Sequence, residues 1–410
     1  MNPPWLSILG IGEDGVEGLS LHAARLISDA SLVIGGARHL ALCATLLRRE
    51  TMVWPTPIAH AIPLLLARRP APVAVLASGD PFCFGVGSLL AAHVPAAEFI
   101  CLPAPSAFSL ACARLGWALQ DAAVISFCGR PLAAVAPLLQ PGARVLALSA
   151  DATTPAQVAA LLSTRGFGAS RITVLEALGG PREQVRSATA ADFPLPDIDP
   201  LNLLAIEVAA AADAKVIPLA AGLDDGCFDH DGQMTKSHVR AMTLAALAPR
   251  RGELLWDIGS GSGAVAIEWL LRHPANRAVG IERRPDRAAR AARNAEALGV
   301  PSLRLMHGTA PAALVGLPPP DAVFIGGGAA QKGVIEAAWQ ALPPGGRLVA
   351  NAVTIETEAV LFAAVRRLGG SLARLGVERL DSIGAMHGFR PSMTVTQFVA
   401  TRATPCRPLA

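Results

Sequence analysis

Short apolar runs recur along the chain, separated by stretches in which apolar residues return at helical spacing. In the first half the runs Leu6–Leu9, Leu32–Ile34, Val73–Ala77, Val124–Phe127, Val145–Leu148, Ile172–Leu175 and Leu203–Val208 predict strands. Helical patterns fall between several of them, at Phe84–Ala92, Ala107–Leu115 and Ala156–Ser163. The alternation predicts α/β layers built on a largely parallel sheet. The pattern breaks after that. Ala209–Ala214 is small and polar-poor, Lys215–Gly222 contains Pro218 and Gly222, and Asp and Gly cluster through Asp224–Gly232. A boundary near residue 213 follows, with a first domain over 1–212 and a second over 213–410.

The second half restarts the alternation. Strands are predicted at Leu254–Ile258, Ala278–Ile281, Leu303–Met306, Ala322–Ile325 and Arg347–Ala350. Helices are predicted at Thr235–Leu247, Ala264–Leu271, Arg287–Leu298, Val334–Ala341 and Glu356–Leu368. Ser371–Leu380 and Met393–Ala400 alternate apolar and polar residues, as antiparallel edge strands do. The class is therefore α/β in two domains, which suits a length of 410 residues.

Composition narrows the picture in three ways. Apolar residues make up 52% of the chain, yet its longest charge-free stretches, Thr51–Ala67 and Pro81–Ala97, are short of a membrane helix and interrupted by proline. No basic n-region opens the sequence, so a leader and a membrane location are not expected, and the cytoplasm is. The seven cysteines, at 43, 83, 101, 112, 128, 227 and 406, form no Cys-x-x-Cys pair, and neither a disulfide framework nor a metal site is expected. A net charge of +3 and few aromatics argue against a dedicated nucleic-acid binder.

The densest chemical signal is Asp257-Ile-Gly259-Ser260-Gly261-Ser262-Gly263, set between an apolar strand and an amphipathic helix ending its first turns at Glu268. Glycine lets the backbone turn tightly and approach a ligand, and the helix N-terminus offers free N–H groups to an anion. Glu282 closes the next strand, about 20 residues on, where a carboxylate can accept both hydroxyls of a ribose. Read as a dinucleotide fingerprint from Gly259, the sixth place holds Ala264, which keeps a nicotinamide-dependent oxidoreductase open as an alternative. Asp257 and the alternating glycines resemble the class I S-adenosylmethionine-dependent methyltransferases more closely.

Flanking segments refine that resemblance. They are Gly222–Phe228, Gln233–Arg240, His307–Leu314, Asp321–Gly328 and Leu342–Gly346. Over roughly 218–400 the succession resembles the decarboxylating precorrin methyltransferases that act at carbon 15. The resemblance implies that Thr235, Gly259, Ser260, Gly261, Ser262, Gly263, Glu282, Gly308, Thr309 and Ala310 line the cofactor. Plainer roles compete: Thr235 as the N-cap of the following helix, Glu282 as a solvated strand end, Gly326–Gly328 as a simple loop. Gly388–Met393 stands where relatives carry an Asn-Pro pair, a departure on the substrate side.

In the first half three loops leave strands in order: Leu9–Gly15 with Gly10 and Gly12, Ala77–Gly87 with Gly79, Asp80 and Pro81, and Leu102–Phe108 with Ser106. Open α/β sheets build sites where strands exit. The trio, with Ala111–Asp121, resembles the tetrapyrrole methylases (class III S-adenosylmethionine-dependent methyltransferases) over roughly 5–208, most closely those acting at carbon 5. By that resemblance Gly10, Gly12, Gly79, Asp80, Pro81 and Ser106 bind cofactor, although Pro103-Ala-Pro-Ser106-Ala departs from the usual Pro-Gly-x-Ser-Ser. A bare turn at Asp80 and a plain N-cap at Ser106 are the competing roles.

Arg38, Arg114 and Arg130 are candidates for pairing with substrate carboxylates, with a plain solvated arginine the competing role of each, and Arg283, Arg287 and Arg290 share one helix face that is expected to be solvated or a subunit contact. His93, His273, His307 and His387 have no ligand spacing. No nucleophile–base pair is evident, and no catalytic residue is assigned.

Together the halves resemble the fused decarboxylating precorrin C(5,15)-methyltransferases. The resemblance implies a tetrapyrrole substrate, two S-adenosylmethionine sites per chain, loss of one CO2, an oxygen-dependent route with a metal-free ring, and a homo-oligomer. A chain with one active half and one scaffolding half, and a nucleic-acid methyltransferase, are the further alternatives.

Overall fold

Apolar runs bounded by Gly, Pro and Asp become strands, and the computed structural model, which describes residues 4–403, gathers them into two units. The first comprises residues up to 132 with 138–215, and the second 133–137 with 216 onward. Cys406 lies outside the described residues.

The first unit runs β1 (Leu6–Ile11), α1 (Leu21–Asp29), β2 (Leu32–Gly35), α2 (Ala37–Leu42), β3 (Glu50–Val53), α3 (Ala61–Leu66), β4 (Val73–Ser78), α4 (Val86–Ala91) and β5 (Phe99–Leu102). It continues α5 (Ala107–Leu115), β6 (Ala122–Ser126), β7 (Arg144–Leu148), α6 (Thr154–Thr164), β8 (Arg171–Glu176), β9 (Gln184–Thr189) and β10 (Asn202–Glu207). Two five-stranded sheets result, ordered β3-β2-β4-β1-β5 and β6-β7-β10-β8-β9. The first is wholly parallel. In the second only β6 and β7 pair parallel, and the other three ladders are antiparallel. The expectation of one largely parallel sheet therefore holds for the first sheet alone. β8 and β10 are almost wholly buried, so neither alternates apolar and polar residues as a half-exposed antiparallel strand does, and their pattern carries no direction. β9 went unpredicted because its edge position leaves a mostly polar, exposed segment.

The second unit runs α7 (Ser237–Leu247), β11 (Leu254–Ile258), α8 (Ala264–Arg272), β12 (Arg277–Glu282), α9 (Pro285–Ala297), β13 (Arg304–His307), β14 (Ala322–Ile325), α10 (Val334–Ala341), β15 (Arg347–Ala352) and α11 (Ile355–Leu368). It ends with β16 (Ser371–Leu375), β17 (Glu378–Ile383), β18 (Met386–Pro391) and β19 (Val395–Thr401). Seven strands form one sheet, ordered β13-β12-β11-β14-β15-β19-β16. The first five are parallel, and β19 and β16 join antiparallel, as their alternation predicts. Helices cover both faces, with one core around Trp269, Leu247 and Phe324 and the other around Trp256, Val334 and Phe398. The predicted strand Ser371–Leu380 is two strands, the second pairing with β18 as an exposed hairpin. Among the described residues no helix is long and apolar enough to cross a membrane, and no cluster of three or more His, Cys, Asp or Glu side chains is disposed to hold a metal ion.

Candidate functional site

In the second unit β11 lies mid-sheet, and its C-terminal end delivers Asp257 and the glycine turn to the edge where a doubly wound sheet binds ligands. The three glycines have three different reasons to be there. Gly259 (φ +76°) presses on Gly327, whose backbone N would lie 2.9 Å from an added Cβ. Gly263 (φ +78°) seats α8 against Ala291 of α9, 3.1 Å from an added Cβ. Gly261 (φ +58°) faces almost open space, the nearest atom to an added Cβ being the Gln233 carbonyl at 3.7 Å, so it is the position that admits a ligand.

Two carboxylates frame this turn. Glu282 is buried at the end of β12 and accepts the Gly261 N–H at 2.9 Å and the Arg284 N–H at 3.0 Å. It is thus no solvated strand end. Asp257 Oδ2 accepts the Ser260 hydroxyl at 2.9 Å and the Ala266 N–H at 3.3 Å, while its buried Oδ1 has no hydrogen-bond partner among the described residues. Burial pushes its carboxyl up to about 6, opposed by those two hydrogen bonds and assisted by the charge of Glu282. An orphaned, buried carboxylate oxygen is costly unless something supplies a donor.

The turn opens onto a cavity of about 750 Å³. Of the sequence-predicted cofactor residues, Thr235, Gly259, Ser260, Gly261, Ser262, Glu282, Gly308, Thr309 and Ala310 all line it, and Gly263 packs behind it. Thr235 does not cap α7: the N-cap is Lys236, with no side-chain cap bond. Gly326–Gly328 also line the cavity. Beyond β14, the strand order brings in Asn351, Val353, Leu375, Val377 and Val395, none of which sequence patterning singled out. Asn351 sits at a strand's C-terminal end, the one positional signal that marks it.

One wall is the segment 222–236, held from two sides. Arg240 and Glu268, both fully buried, form an ion pair. Arg240 also donates to the carbonyls of Leu223 and Thr235 and lies 4.7 Å from the centre of the Phe228 ring, and Glu268 accepts the N–H groups of Gly222 (2.7 Å) and Leu223 (3.0 Å). From α9, Arg287 reaches Asp231 at 2.8 Å, Arg290 lies 3.4 Å from Asp229, and Arg293 reaches Asp229 at 2.8 Å. Arg287, Arg290 and Arg293 of α9 are therefore clamps on this wall, whereas Arg283 precedes the helix rather than sharing its face, is exposed and lines the cavity.

In the first unit the three predicted loops meet. The Gly79 carbonyl accepts the Ala104 N–H at 3.1 Å, and the Gly79 N–H donates to the Ile11 carbonyl at 3.0 Å. A Cβ on Gly10 would stand 2.0 Å from the Gly79 carbonyl oxygen and 2.4 Å from the Ala104 N, and one on Gly79 only 2.8 Å from the Pro105 carbonyl oxygen. Gly12 lies beside the Asp14 carboxylate, Asp80 accepts the Phe82 N–H at 2.9 Å just ahead of Pro81, and Ser106 caps α5 by accepting the Ser109 N–H at 3.1 Å.

The arginines of this unit have partners of their own. Arg38 pairs with Glu13 and donates to Ser78 Oγ at 2.8 Å, Arg114 pairs with Glu183, and Arg130 lies 5.1 Å from the Phe84 ring centre. His39 is held neutral: burial first, then the charge of Arg38, lowers its pKa to about 4.

With this geometry in place, comparison with known proteins decides the family. A precorrin-6Y C(5,15)-methyltransferase (decarboxylating) from Sinorhizobium is 57% identical over 399 residues, covering 97% of this chain and 97% of its own. The family is shown by that match. The chain belongs to the precorrin-6Y C(5,15)-methyltransferase (decarboxylating) family.

A second member, from Mycobacterium tuberculosis, is 42% identical over 400 residues, 96% of this chain and 99% of its own. Residues 6–194 match the tetrapyrrole (corrin/porphyrin) methylases and 226–402 the precorrin methyltransferase domain. A probable cobalt-precorrin-6B C(15)-methyltransferase (decarboxylating) from Saccharolobus solfataricus is 36% identical over 160 residues, 38% of this chain and 79% of its own. Membership in a methyltransferase family closes the oxidoreductase alternative.

Proposed function

We propose that the second unit decarboxylates the ring C acetate and methylates carbon 15 of precorrin-6B, that the first unit methylates carbon 5 to give precorrin-8X, and that each holds its own S-adenosylmethionine. The observation that carries this reading is the second-unit cavity, which joins the Asp257–Glu282 turn to an apolar wall within about 750 Å³, a size suited to small-molecule sites. The Saccharolobus relative supports the division, since a carbon-15 decarboxylating methyltransferase matches only 38% of this chain.

S-adenosylmethionine supplies a methyl group already activated on a sulfonium. The chain's own residues then have three tasks. Asp257 Oδ1 would take the cofactor's ammonium group, the N-terminus of α8 its carboxylate, and Glu282 its ribose hydroxyls. The turn and the facing wall fix the approach of methyl group to carbon, which is catalysis by proximity and orientation. The bridging carbons of a partly reduced tetrapyrrole are enamine-like, so no strong base is required of the protein.

Titration calorimetry of the full chain with S-adenosylhomocysteine is expected to give two sites per chain. One site would leave half the chain as scaffold, and none would end the reading. The second-unit site carries a pH signature. A carboxyl raised to about 6 by the fold adds stability below its unfolded value of 3.8 and loses that contribution as pH rises through about 6. The ammonium group pairs only with the ionised form, so binding runs the other way. Affinity at this site is expected to be about tenfold weaker at pH 5 than at pH 7.5, with proton release on binding near pH 6. Asp257→Asn should flatten this dependence; a flat profile in the unaltered chain would rule the pairing out.

A homo-oligomer in the cytoplasm completes the reading, and its association is supported by the exposed apolar residues Leu380, Ile383, Met386 and Phe389 on the β17–β18 hairpin. Light scattering of the purified chain tests it, and a monomer at micromolar concentration is the contrary result.

A further inference from the structure

The cavity that holds the glycine turn is also lined by the end of β15, which contributes one neutral polar side chain, Asn351, together with the apolar Val353, Leu375, Val377 and Val395. The Asn351 amide is locked in one orientation. Nδ2 donates to Thr243 Oγ1 at 3.0 Å, and Oδ1 accepts from Gln397 Nε2 at 3.0 Å. Gln397 is buried directly opposite on β19 and also donates to Thr243 Oγ1, at 3.2 Å. Thr243, fully buried on α7, gives its own proton to the Val239 carbonyl at 2.8 Å. Turning the Asn351 amide over would set its oxygen against a hydroxyl with no proton left to give. Among the described residues one N–H and one lone pair of Asn351 remain unspent, on a residue that lines the cavity.

We propose that this N–H binds the carboxylate of the acetate side chain that leaves as CO2, which makes Asn351 a catalytic residue and Gln397 and Thr243 its positioning residues. The proposal rests on the carbon-15 assignment of the second unit. The choice of an amide over a cation has a physical reason. A guanidinium on that carboxylate would hold the ground state more tightly than a transition state in which the negative charge is leaving it, and so would slow the step. A single amide N–H orients the group at smaller ground-state cost. Lys236, Arg283 and Arg379 line the same cavity and suit carboxylates that stay on the ring.

The step balances within the substrate. The bond from the side-chain methylene to the carboxyl carbon breaks, CO2 departs, and the electron pair enters the conjugated ring at its protonated imine. The methylene later gains the proton that carbon 15 gives up on methylation. No oxidant, reductant or outside acid is consumed.

The test uses the full chain with precorrin-6B and S-adenosylmethionine, following CO2 release and methyl transfer separately, with S-adenosylhomocysteine affinity as the check on folding. Asn351→Ala is expected to slow CO2 release about 30-fold and Asn351→Asp, which sets a like charge against the acetate, more than about 100-fold, with S-adenosylhomocysteine affinity within about twofold of normal. Gln397→Met keeps Asn351 but frees its amide, and is expected to lower the turnover number for CO2 release about tenfold while KM changes less than about threefold. An unaltered chain that binds S-adenosylhomocysteine but releases no CO2 would sink the carbon-15 assignment itself. CO2 release by Asn351→Ala within about threefold of the unaltered chain, or loss of S-adenosylhomocysteine affinity in step with CO2 release in both Asn351→Ala and Gln397→Met, would overturn the role of Asn351 alone.

Discussion

Arg240→Met is expected to cost the second unit about 3–5 kcal/mol, more than other single changes near its cavity, because it strands a charge. Glu268 is 0% exposed, and without Arg240 the hydrogen-bond partners left to its carboxylate among the described residues are the N–H groups of Gly222 and Leu223. The carbonyls of Leu223 and Thr235 lose their donor in the same stroke. The wall carrying Thr235 and Lys236 should then loosen, and second-site affinity for S-adenosylhomocysteine should fall with it. The double change Arg240→Met with Glu268→Met should be milder than the single one, since removing both charges removes the stranded one. Guanidinium unfolding, with hydrogen exchange of peptides spanning β11 and β12 as the local readout, checks both. A single variant within about 1 kcal/mol of the unaltered chain would show that this wall is held chiefly by the α9 arginines instead.

Gly10→Ala is expected to disable the first unit and leave the second working. Its new Cβ would meet the Gly79 carbonyl oxygen at 2.0 Å and the Ala104 N at 2.4 Å, both backbone atoms that no rotamer change can move aside. Overpacking of this kind costs about 1–3 kcal/mol, and here the strain falls between three loops that must keep their register. Calorimetry with S-adenosylhomocysteine should lose one of two sites, and carbon 5 methylation should vanish while CO2 release persists. Full carbon 5 methylation in the variant would mean that the three loops are not the site. Gly10 thus acts by letting two backbones touch, a role that its place in a cofactor-like motif did not disclose.

The same contrast marks what the sequence could and could not reveal. Periodicity found β1, β4 and β11 because each is a short buried run ended by glycine. It missed β3 and β9, whose exposed polar residues depend on a neighbouring strand rather than on their own pattern. The glycine turn and Glu282 were legible because their chemistry is local: residue type and spacing alone specify the geometry. Asn351 was not, since its meaning depends on Gln397, 46 residues away, and Thr243, 108 away. Arg240 and Glu268 stood inside quoted motifs, yet only burial turns them from helix-surface charges into the bolt of a wall. Arg38 and Arg114, candidates from sequence for pairing with substrate carboxylates, hold Glu13 and Glu183, partnerships that no local pattern announces.

The order β13-β12-β11-β14-β15-β19-β16 divides the second-unit cavity by provenance. The wall around Asp257 and Glu282 comes from β11 and β12, whereas Leu375, Val377 and Val395 come from the last stretch of the unit, around β16 and β19. Changes in that last stretch reshape one wall of the cavity without altering the residues that form the other. A new acceptor molecule is therefore best sought by varying residues 375–395 alone, with the Asp257–Glu282 wall kept as a fixed cartridge.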